Sequence, residues 1–125
     1  MLNSSGARTL LIVEDSRDVR DVFADLFEGQ GYQVLQASDG EDALQVIGKT
    51  SNPIHVVLTD LRMPKMDGLE LARNLKADPR YSAIPIVLLS ATPLSNSWIA
   101  REVFAALLVK PCDLVELVVT VEAVQ

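Results

Sequence analysis

The sequence predicts an α/β fold: a flavodoxin-like, doubly wound parallel sheet of five strands, in the order 2-1-3-4-5, with five helices. Two observations lead to this fold. Short, continuous apolar runs alternate along the chain with stretches whose apolar residues recur every three or four positions. The runs are apolar on both faces, which is typical of strands in a sheet that helices cover on both sides. Right-handed crossovers between such strands make the sheet parallel.

Length and composition are those of one domain with its own core. The chain has 125 residues, of which 49% are hydrophobic. We predict a single domain over residues 1–125, with residues 1–7 as a flexible lead-in that contains Asn3-Ser4-Ser5-Gly6. A formal net charge of −6, without a basic patch, argues against direct contact with nucleic acid. One cysteine and no apolar run of membrane-spanning length favour a cytoplasmic protein that does not enter a membrane.

Five apolar runs are the predicted strands. The first, residues 9–13, ends in two acids, and the third, residues 54–58, runs towards Asp60. Residues 32–37 are shorter and more polar, as expected of an edge strand. The fourth and fifth strands are predicted at residues 84–89 and 107–109.

Five stretches with helical spacing follow these runs. Ser16 can cap the first, whose apolar residues fall at i, i+3, i+4, i+7 and i+8: Val19, Val22, Phe23, Leu26 and Phe27. The second and third helices are predicted at residues 40–47 and 69–77. The fourth starts at Ser95-Asn96-Ser97 and ends near Ala105, and Asp113 caps a fifth that runs nearly to Gln125.

The fifth helix carries more apolar surface than one buried face requires. One stripe consists of Leu114, Leu117, Val118 and Val121, and the extension around the side consists of Val115, Val119 and Val124. Together with Trp98 and Ile99 on the fourth helix, this surface fits a partner surface, for dimerisation or for another domain. It fits a broad core stripe equally well, and the sequence leaves both interpretations open.

Polar side chains follow four of the five predicted strands. Glu14 and Asp15 follow the first, Asp60 the third, Ser90 the fourth and Lys110 the fifth. A lone acid at a strand end would be no more than a helix cap or a solvated charge. Because the carboxyl ends of parallel strands meet at the same edge of a sheet, where open α/β sheets bind their ligands, we expect these five side chains to meet there.

Such a set of side chains suits magnesium and a phosphoryl group. Three carboxylates close together repel one another, and a divalent cation removes the conflict. Asp15 and Asp60 are predicted to bind Mg²⁺ directly, Glu14 through water, and a main-chain carbonyl just past Asp60 to add another oxygen. Lys110 and the Ser90 hydroxyl match phosphoryl oxygens, so Asp60 is the candidate nucleophile that forms an aspartyl-phosphate.

In this order, the segments at the strand ends resemble the receiver domains of two-component response regulators. The resemblance covers about residues 8–123 and rests on Glu14-Asp15, Asp60-x-x-Met63-Pro64-x-x-Asp67-Gly68, Ser90-Ala91 and Lys110-Pro111. It implies that Asp60 accepts a phosphoryl group from the phosphohistidine of a sensor histidine kinase or a phosphotransfer protein. It also implies that Asp15, Asp60 and the main-chain carbonyl of Arg62 bind Mg²⁺, and that Ser90 and Lys110 sense the phosphoryl group.

The resemblance further implies a signalling domain, which is not an enzyme beyond its own phosphorylation and dephosphorylation. The switch would act on the face of helix 4, strand 5 and helix 5, through which an output domain or a second copy would bind. Three positions depart from the family pattern. Leu107 stands where an aromatic residue is common, Val103-Phe104-Ala105-Ala106 lacks the usual Gly-Ala and acidic residues, and Cys112 stands where Phe is frequent.

Three other functions compete with this one. A receiver-like adaptor would act by protein contacts without phosphorylation, which Leu107 favours and the intact acids and lysine oppose. A haloacid-dehalogenase-like phosphatase needs a second acid where Arg62 stands. A flavin site would place a phosphate beside Glu14 and Asp15, which would repel it. Of the remaining reactive side chains, we interpret His55 as structural and Cys112 as a packed thiol.

Overall fold

Five parallel strands form one sheet in the order β2-β1-β3-β4-β5, which confirms the predicted fold class and strand order. The structure is a computed structural model, and it describes residues 7–92 and 98–125. The strands are β1 (Thr9–Val13), β2 (Gln33–Ala37), β3 (Val56–Asp60), β4 (Ile86–Ser90) and β5 (Ala106–Val109). The helices within the described ranges are α1 (Arg17–Gly29), α2 (Gly40–Lys49), α3 (Gly68–Ala77), α4 (Trp98–Val103) and α5 (Leu114–Ala123).

The sheet separates two hydrophobic cores, because successive side chains of each strand point to opposite faces. On one face, Leu11 and Val57 pack with residues of α2, α3 and α4, such as Leu71, in what we call the first core. On the other face, Leu10 and Leu58 pack with residues of α1 and α5, such as Phe27 and Leu117, in the second core. All five residues of β1 are buried, as the continuous apolar run predicts.

The apolar stripe predicted on α1 is partly wrong. Phe27 is buried and Phe23 and Leu26 pack against the second core, but Val19 and Val22 are exposed. The buried face runs instead through Ala24, and Arg20 is only partly exposed. The guanidinium of Arg20 donates to the Glu14 carbonyl and to Gln36 Oε1 at the edge of the sheet. The charged Arg20, and not its neighbour Val19, therefore lies on the side of α1 that faces the sheet.

Part of the stripe predicted on α5 is also wrong. Leu117 and Val121 are buried, but Leu114 in the first turn is 45% exposed. Val115 and Val119 are exposed as well, at 70% and 59%. Asp113 caps α5 as predicted, with its carboxylate accepting from the Val115 N–H at 2.8 Å. The apolar surface of α5 is therefore wider than its buried stripe, because Leu114, Val115 and Val119 remain exposed.

Two predicted features fall outside the described residues: most of the lead-in at residues 1–7, and the start of the fourth helix at Ser95-Asn96-Ser97. Within the described ranges, none of the helices combines the length and the apolarity that crossing a membrane requires.

Candidate functional site

The carboxyl ends of four strands bring the predicted site residues to one edge of the sheet. Val13 pairs with Thr59, so the acids after β1 lie beside Asp60 at the end of β3. Asp60 pairs with Leu89, one residue before Ser90, and Ser90 pairs with Val109, one residue before Lys110. The main-chain N–H of Lys110 donates to the Ser90 carbonyl at 2.8 Å, which extends the pairing of β4 and β5 up to the lysine.

Three carboxylates gather at this edge. Glu14, Asp15 and Asp60 each offer an oxygen, and these oxygens lie within 4.8 Å of one another. The three side chains differ in exposure: Glu14 is only 4% exposed, Asp60 is partly exposed and Asp15 is exposed. Carboxylate oxygens at this spacing are the hard ligands that Mg²⁺ prefers.

Lys110 is the cation that faces these acids. Its Nζ lies 3.1 Å from Asp60 Oδ2, within hydrogen-bond distance, and 3.7 Å from Glu14 Oε1. The lysine side chain is 32% exposed, so a phosphorylated ligand could reach its ammonium group from solvent. One ammonium cannot balance three carboxylates, and the edge keeps a net negative charge.

Glu14 has a raised pKa at this edge of the sheet. The pKa of Glu14 is raised from 4.5 to about 7, mainly by burial and further by the neighbouring Asp15 and Asp60, while the Ser16 N–H bond and Lys110 act in the opposite direction. The Ser16 N–H donates to Glu14 Oε2 at 2.9 Å, so one oxygen of this acid is committed to the main chain. A divalent cation beside Glu14 would favour its charged form.

Asp60 is held through both carboxylate oxygens. Oδ1 accepts from the main-chain N–H of Leu61 at 2.8 Å, and Oδ2 accepts from Lys110. The buried hydroxyl of Thr59 donates to the main-chain carbonyl of Asp60 at 2.8 Å. These bonds fix both the side chain and the main chain of Asp60 at the point where the chain leaves the sheet.

The loop after Asp60, residues 61–67, has one main-chain carbonyl at the expected position that is free of intramolecular bonds. The carbonyls of Leu61, Pro64 and Met66 accept from the N–H groups of Gly68, Met66 and Gly40 at 2.8, 2.8 and 3.1 Å. Across residues 7–92 and 98–125, no hydrogen bond reaches the Arg62 carbonyl. That oxygen is available to a metal ion or to water.

Ser90 lies at the same edge but is turned towards its own main chain. It is buried, and its Oγ accepts from the Thr92 N–H at 3.0 Å. In the described part of the chain it makes no hydrogen bond with Asp60. The hydroxyl hydrogen remains available for donation to a ligand.

Sequence reasoning missed two residues that support the site. Arg20 on α1 donates from Nη1 to the Glu14 carbonyl at 2.7 Å and from Nε to Gln36 Oε1 at 3.1 Å, which links β1, α1 and β2 at the site edge. Thr59 fixes the Asp60 carbonyl, as described above. Neither residue belongs to an apolar period or a strand-end pattern, so the sequence carries no signal for either role.

Comparison with known proteins identifies the family to which the chain is similar. A family model described as "Response regulator receiver domain" matches residues 10–122. A CAI-1 autoinducer sensor kinase/phosphatase of Vibrio cholerae is 34% identical over 109 residues, which is 85% of this chain and 16% of that protein. A gliding motility regulatory protein of Myxococcus xanthus is 39% identical over 66% of this chain. The chain spans 10% of the length of the second protein, so both relatives are much longer.

Solved structures share the fold. The chemotaxis response regulator CheY4 of Vibrio cholerae is 28% identical, with a TM-score of 0.86, over 95% of this chain and 99% of that one. The response regulator protein TrrA of Thermotoga maritima, solved in complex with Mg²⁺-BeF, is 24% identical, with a TM-score of 0.83, over 94% and 99% of the two chains. The architecture built above from strand order and register is therefore shared with these proteins.

Proposed function

The chain belongs to the response regulator receiver domain family, the signalling domains of two-component systems, and we propose that Asp60 is its phosphoacceptor. The observation that carries the proposal is the position of Lys110 Nζ, 3.1 Å from Asp60 Oδ2, beside a group of three carboxylates. A carboxylate nucleophile with an adjacent ammonium and a metal-binding acid cluster has the parts that acyl-phosphate formation requires.

The residues present fit a magnesium ion. The donor set consists of hard oxygens, and the pKa of Glu14, which burial and the neighbouring Asp15 and Asp60 raise, would fall again beside a bound cation. We propose that Asp15 and Asp60 bind Mg²⁺ directly, that Glu14 binds it through water, and that the free Arg62 carbonyl supplies a further oxygen. When bound, the ion would offset the negative charge that gathers as a phosphoryl group approaches Asp60.

The chain's own residues then define the transfer step. A carboxylate oxygen of Asp60 attacks the phosphorus of a phosphohistidine, a P–O bond forms, the P–N bond breaks, and the imidazole leaves with the electron pair and takes up a proton. Lys110 pairs with one transferred oxygen, and the Ser90 hydroxyl donates to another. Attack by water on the phosphorus of the acyl phosphate breaks the bond between phosphorus and the Asp60 oxygen, releases inorganic phosphate and returns Asp60 to its carboxylate.

We propose that the phosphodonor is a sensor histidine kinase or a phosphotransfer protein. Contacts between the phosphoryl group, Lys110 and Ser90 would shift the equilibrium of the segment after β4 and of α4. Trp98 on α4 and Val115 and Val119 on α5 are exposed apolar side chains, which supports the proposal that an output domain or a second copy binds the α4–β5–α5 face. The phosphorylation-independent adaptor is not favoured, because the acids and Lys110 lie together at one edge.

A labelling experiment tests the phosphoacceptor. Incubation with Mg²⁺ and acetyl phosphate should add one phosphoryl group to the wild type, as read by intact mass, and none to Asp60→Asn. The matched control is Asp25→Asn, which removes an exposed acid of α1 and should label as the wild type does. Equal labelling of Asp60→Asn and the wild type would contradict the assignment, and labelling that persists unchanged when EDTA removes the metal would contradict the proposed role of Mg²⁺.

A further inference from the structure

We propose that Gly40, on α2, is a positioning residue for the loop after Asp60. This inference rests on the proposed function, because that loop carries the Arg62 carbonyl assigned to Mg²⁺. Gly40 lies 20 positions before Asp60 in the sequence. It belongs to another helix and provides no side chain to the site, so its role would act through the main chain of the loop.

The near end of the loop, next to Asp60, is anchored by Gly68. The Gly68 N–H, at the start of α3, donates to the Leu61 carbonyl at 2.8 Å. A Cβ at Gly68 would lie 2.2 Å from the main-chain oxygen of Asp60, which is far inside van der Waals contact. The absence of a side chain therefore lets α3 begin directly against the main chain of Asp60.

The far end of the loop is anchored by Gly40 in the same way. Its N–H lies in the first turn of α2, where main-chain N–H groups have no partner within the helix, and it donates to the Met66 carbonyl at 3.1 Å. A Cβ at Gly40 would lie 2.7 Å from Met66 Cγ and 2.8 Å from both Met66 Cβ and the Met66 main-chain oxygen. Since that oxygen cannot rotate away as a side-chain atom can, a methyl group at position 40 would push the loop itself.

The segment between these anchors is held in a costly conformation. Lys65 has a φ of 67°, in the left-handed region that non-glycine residues rarely adopt. Its neighbour Met66 is the residue that Gly40 holds. Release of the Met66 anchor would let Lys65 relax and shift Arg62 relative to Asp60, while the strands that carry Asp60 and Lys110 stay paired.

The chain offers a matched control for this role. Gly48 lies on the same helix as Gly40, and a Cβ there would meet nothing within 4 Å. Gly40→Ala and Gly48→Ala therefore make the same chemical change in α2, but only the first strains the loop. We expect Gly40→Ala to raise the Mg²⁺ dissociation constant about tenfold, equivalent to about 1.4 kcal/mol, and Gly48→Ala to leave it close to the wild-type value. Isothermal titration with MgCl₂ measures both, and circular dichroism checks that each variant is folded.

A second measurement, amide hydrogen exchange, needs no variant. In the metal-free wild type, the Gly40 amide should exchange with deuterium far more slowly than an unbonded amide, because it donates to Met66. Addition of Mg²⁺ should slow its exchange further if loop and metal are coupled. The inference is overturned if Gly40→Ala binds Mg²⁺ as the wild type does, or if the wild-type Gly40 amide is unprotected. A wild type that binds no Mg²⁺ would instead refute the proposed function, and the positioning role with it.

Discussion

The edge of the sheet at the amino ends of the strands (the amino edge) and the edge at their carboxyl ends (the carboxyl edge) differ in net charge. At the amino edge, Glu122 accepts from the Tyr32 hydroxyl and lies 3.8 Å from Arg8 Nη1. Gln125 completes that network, donating to the Tyr32 oxygen at 2.7 Å and accepting from Arg8 at 3.3 Å. At the carboxyl edge, three carboxylates face the ammonium of Lys110. One edge is balanced, and the other carries excess negative charge.

The difference separates a stabilising network from a binding site. In the amino-edge network, which we define as Arg8, Tyr32, Glu122 and Gln125, the acid has its partners and gains little from any added ion. At the carboxyl edge, burial and then the neighbouring acids raise the pKa of Glu14, and a bound cation would favour its charged form. We therefore expect changes at the carboxyl edge to alter binding and phosphorylation, and changes at the amino edge to alter stability alone.

The largest expected effect is loss of the only ammonium placed at the acids in the described ranges. Lys110→Ala should slow phosphorylation by acetyl phosphate about 100-fold, because the side-chain cation that pairs with a transferred oxygen is removed. Intact mass against time measures the rate. Lys49→Ala, at the exposed end of α2, is the control and should match the wild type. A Lys110→Ala rate near that of the wild type would remove the lysine from the mechanism.

Magnesium should stabilise the fold through the carboxyl edge. An ion that binds only the folded state, at a concentration 100 times its dissociation constant, adds about 2.7 kcal/mol to the free energy of unfolding. Urea denaturation in MgCl₂ and in EDTA should show this difference for the wild type and for Arg8→Ala at the amino edge. Asp15→Asn should show little of it. An equal gain for Asp15→Asn would place the ion elsewhere.

A smaller effect is expected at the amino edge. Tyr32→Phe removes a hydroxyl that both donates to Glu122 and accepts from Gln125, and should lower the free energy of unfolding by about 1–2 kcal/mol without changing Mg²⁺ binding. Tyr81→Phe is the control, since its hydroxyl makes no hydrogen bond with the described residues. A change in Mg²⁺ affinity in Tyr32→Phe would break the separation between the two edges.

The same tyrosine gives a pH dependence. Burial, and then the hydrogen bond to Glu122, raise the pKa of Tyr32 above 10.0. As the pH rises past 10.0, the unfolded state loses this proton while the folded state keeps it, so the folded state binds more protons and stability falls. Urea denaturation of the wild type should therefore weaken more steeply above that pH than denaturation of Tyr32→Phe. Parallel slopes would show that the Tyr32 hydroxyl does not contribute.

The smallest effect concerns Cys112, two residues after Lys110. Burial, and then Glu116, whose carboxylate lies 3.5 Å from Sγ, raise the pKa of this thiol. Iodoacetamide at pH 8 should therefore react more slowly with the folded protein than with the urea-unfolded chain, and Glu116→Gln should speed the folded reaction a few-fold. Faster alkylation of the folded protein would mean that the Lys110 ammonium activates the thiol, contrary to the interpretation of Cys112 as packed.

The sequence predicted the sheet and the edge where the site lies because both leave local signals. The β1 and β3 strands are continuous apolar runs, and each is followed or ended by an acid, so strand and site residue are read together. Right-handed crossovers between alternating elements predicted a parallel sheet, and the order of the elements suited the flavodoxin-like strand order 2-1-3-4-5. These features depend on neighbours in sequence, and a single chain is enough to predict them.

The remaining features depend on contacts between segments that are far apart in sequence. Arg20 lies on the side of α1 that faces the sheet because its guanidinium reaches the Glu14 carbonyl. Leu114, in the first turn of α5, is exposed although its spacing places it in the apolar stripe. The close approach of Gly40 to Met66 leaves no periodic pattern at all. Such contacts are set by the packing of α1, α2 and α5 on the sheet, which composition and spacing do not determine.

The bond between Ser90 and Thr92 has a mechanical consequence. The serine oxygen accepts the Thr92 N–H, and a hydroxyl can keep that bond while giving its own hydrogen to a third atom. If a ligand at Asp60 accepts this hydrogen and the Ser90 side chain moves towards it, the Thr92 peptide has to move as well for the bond to be kept. A displacement of Ser90 Oγ would therefore be passed directly to the main chain at Thr92, two residues beyond the end of β4.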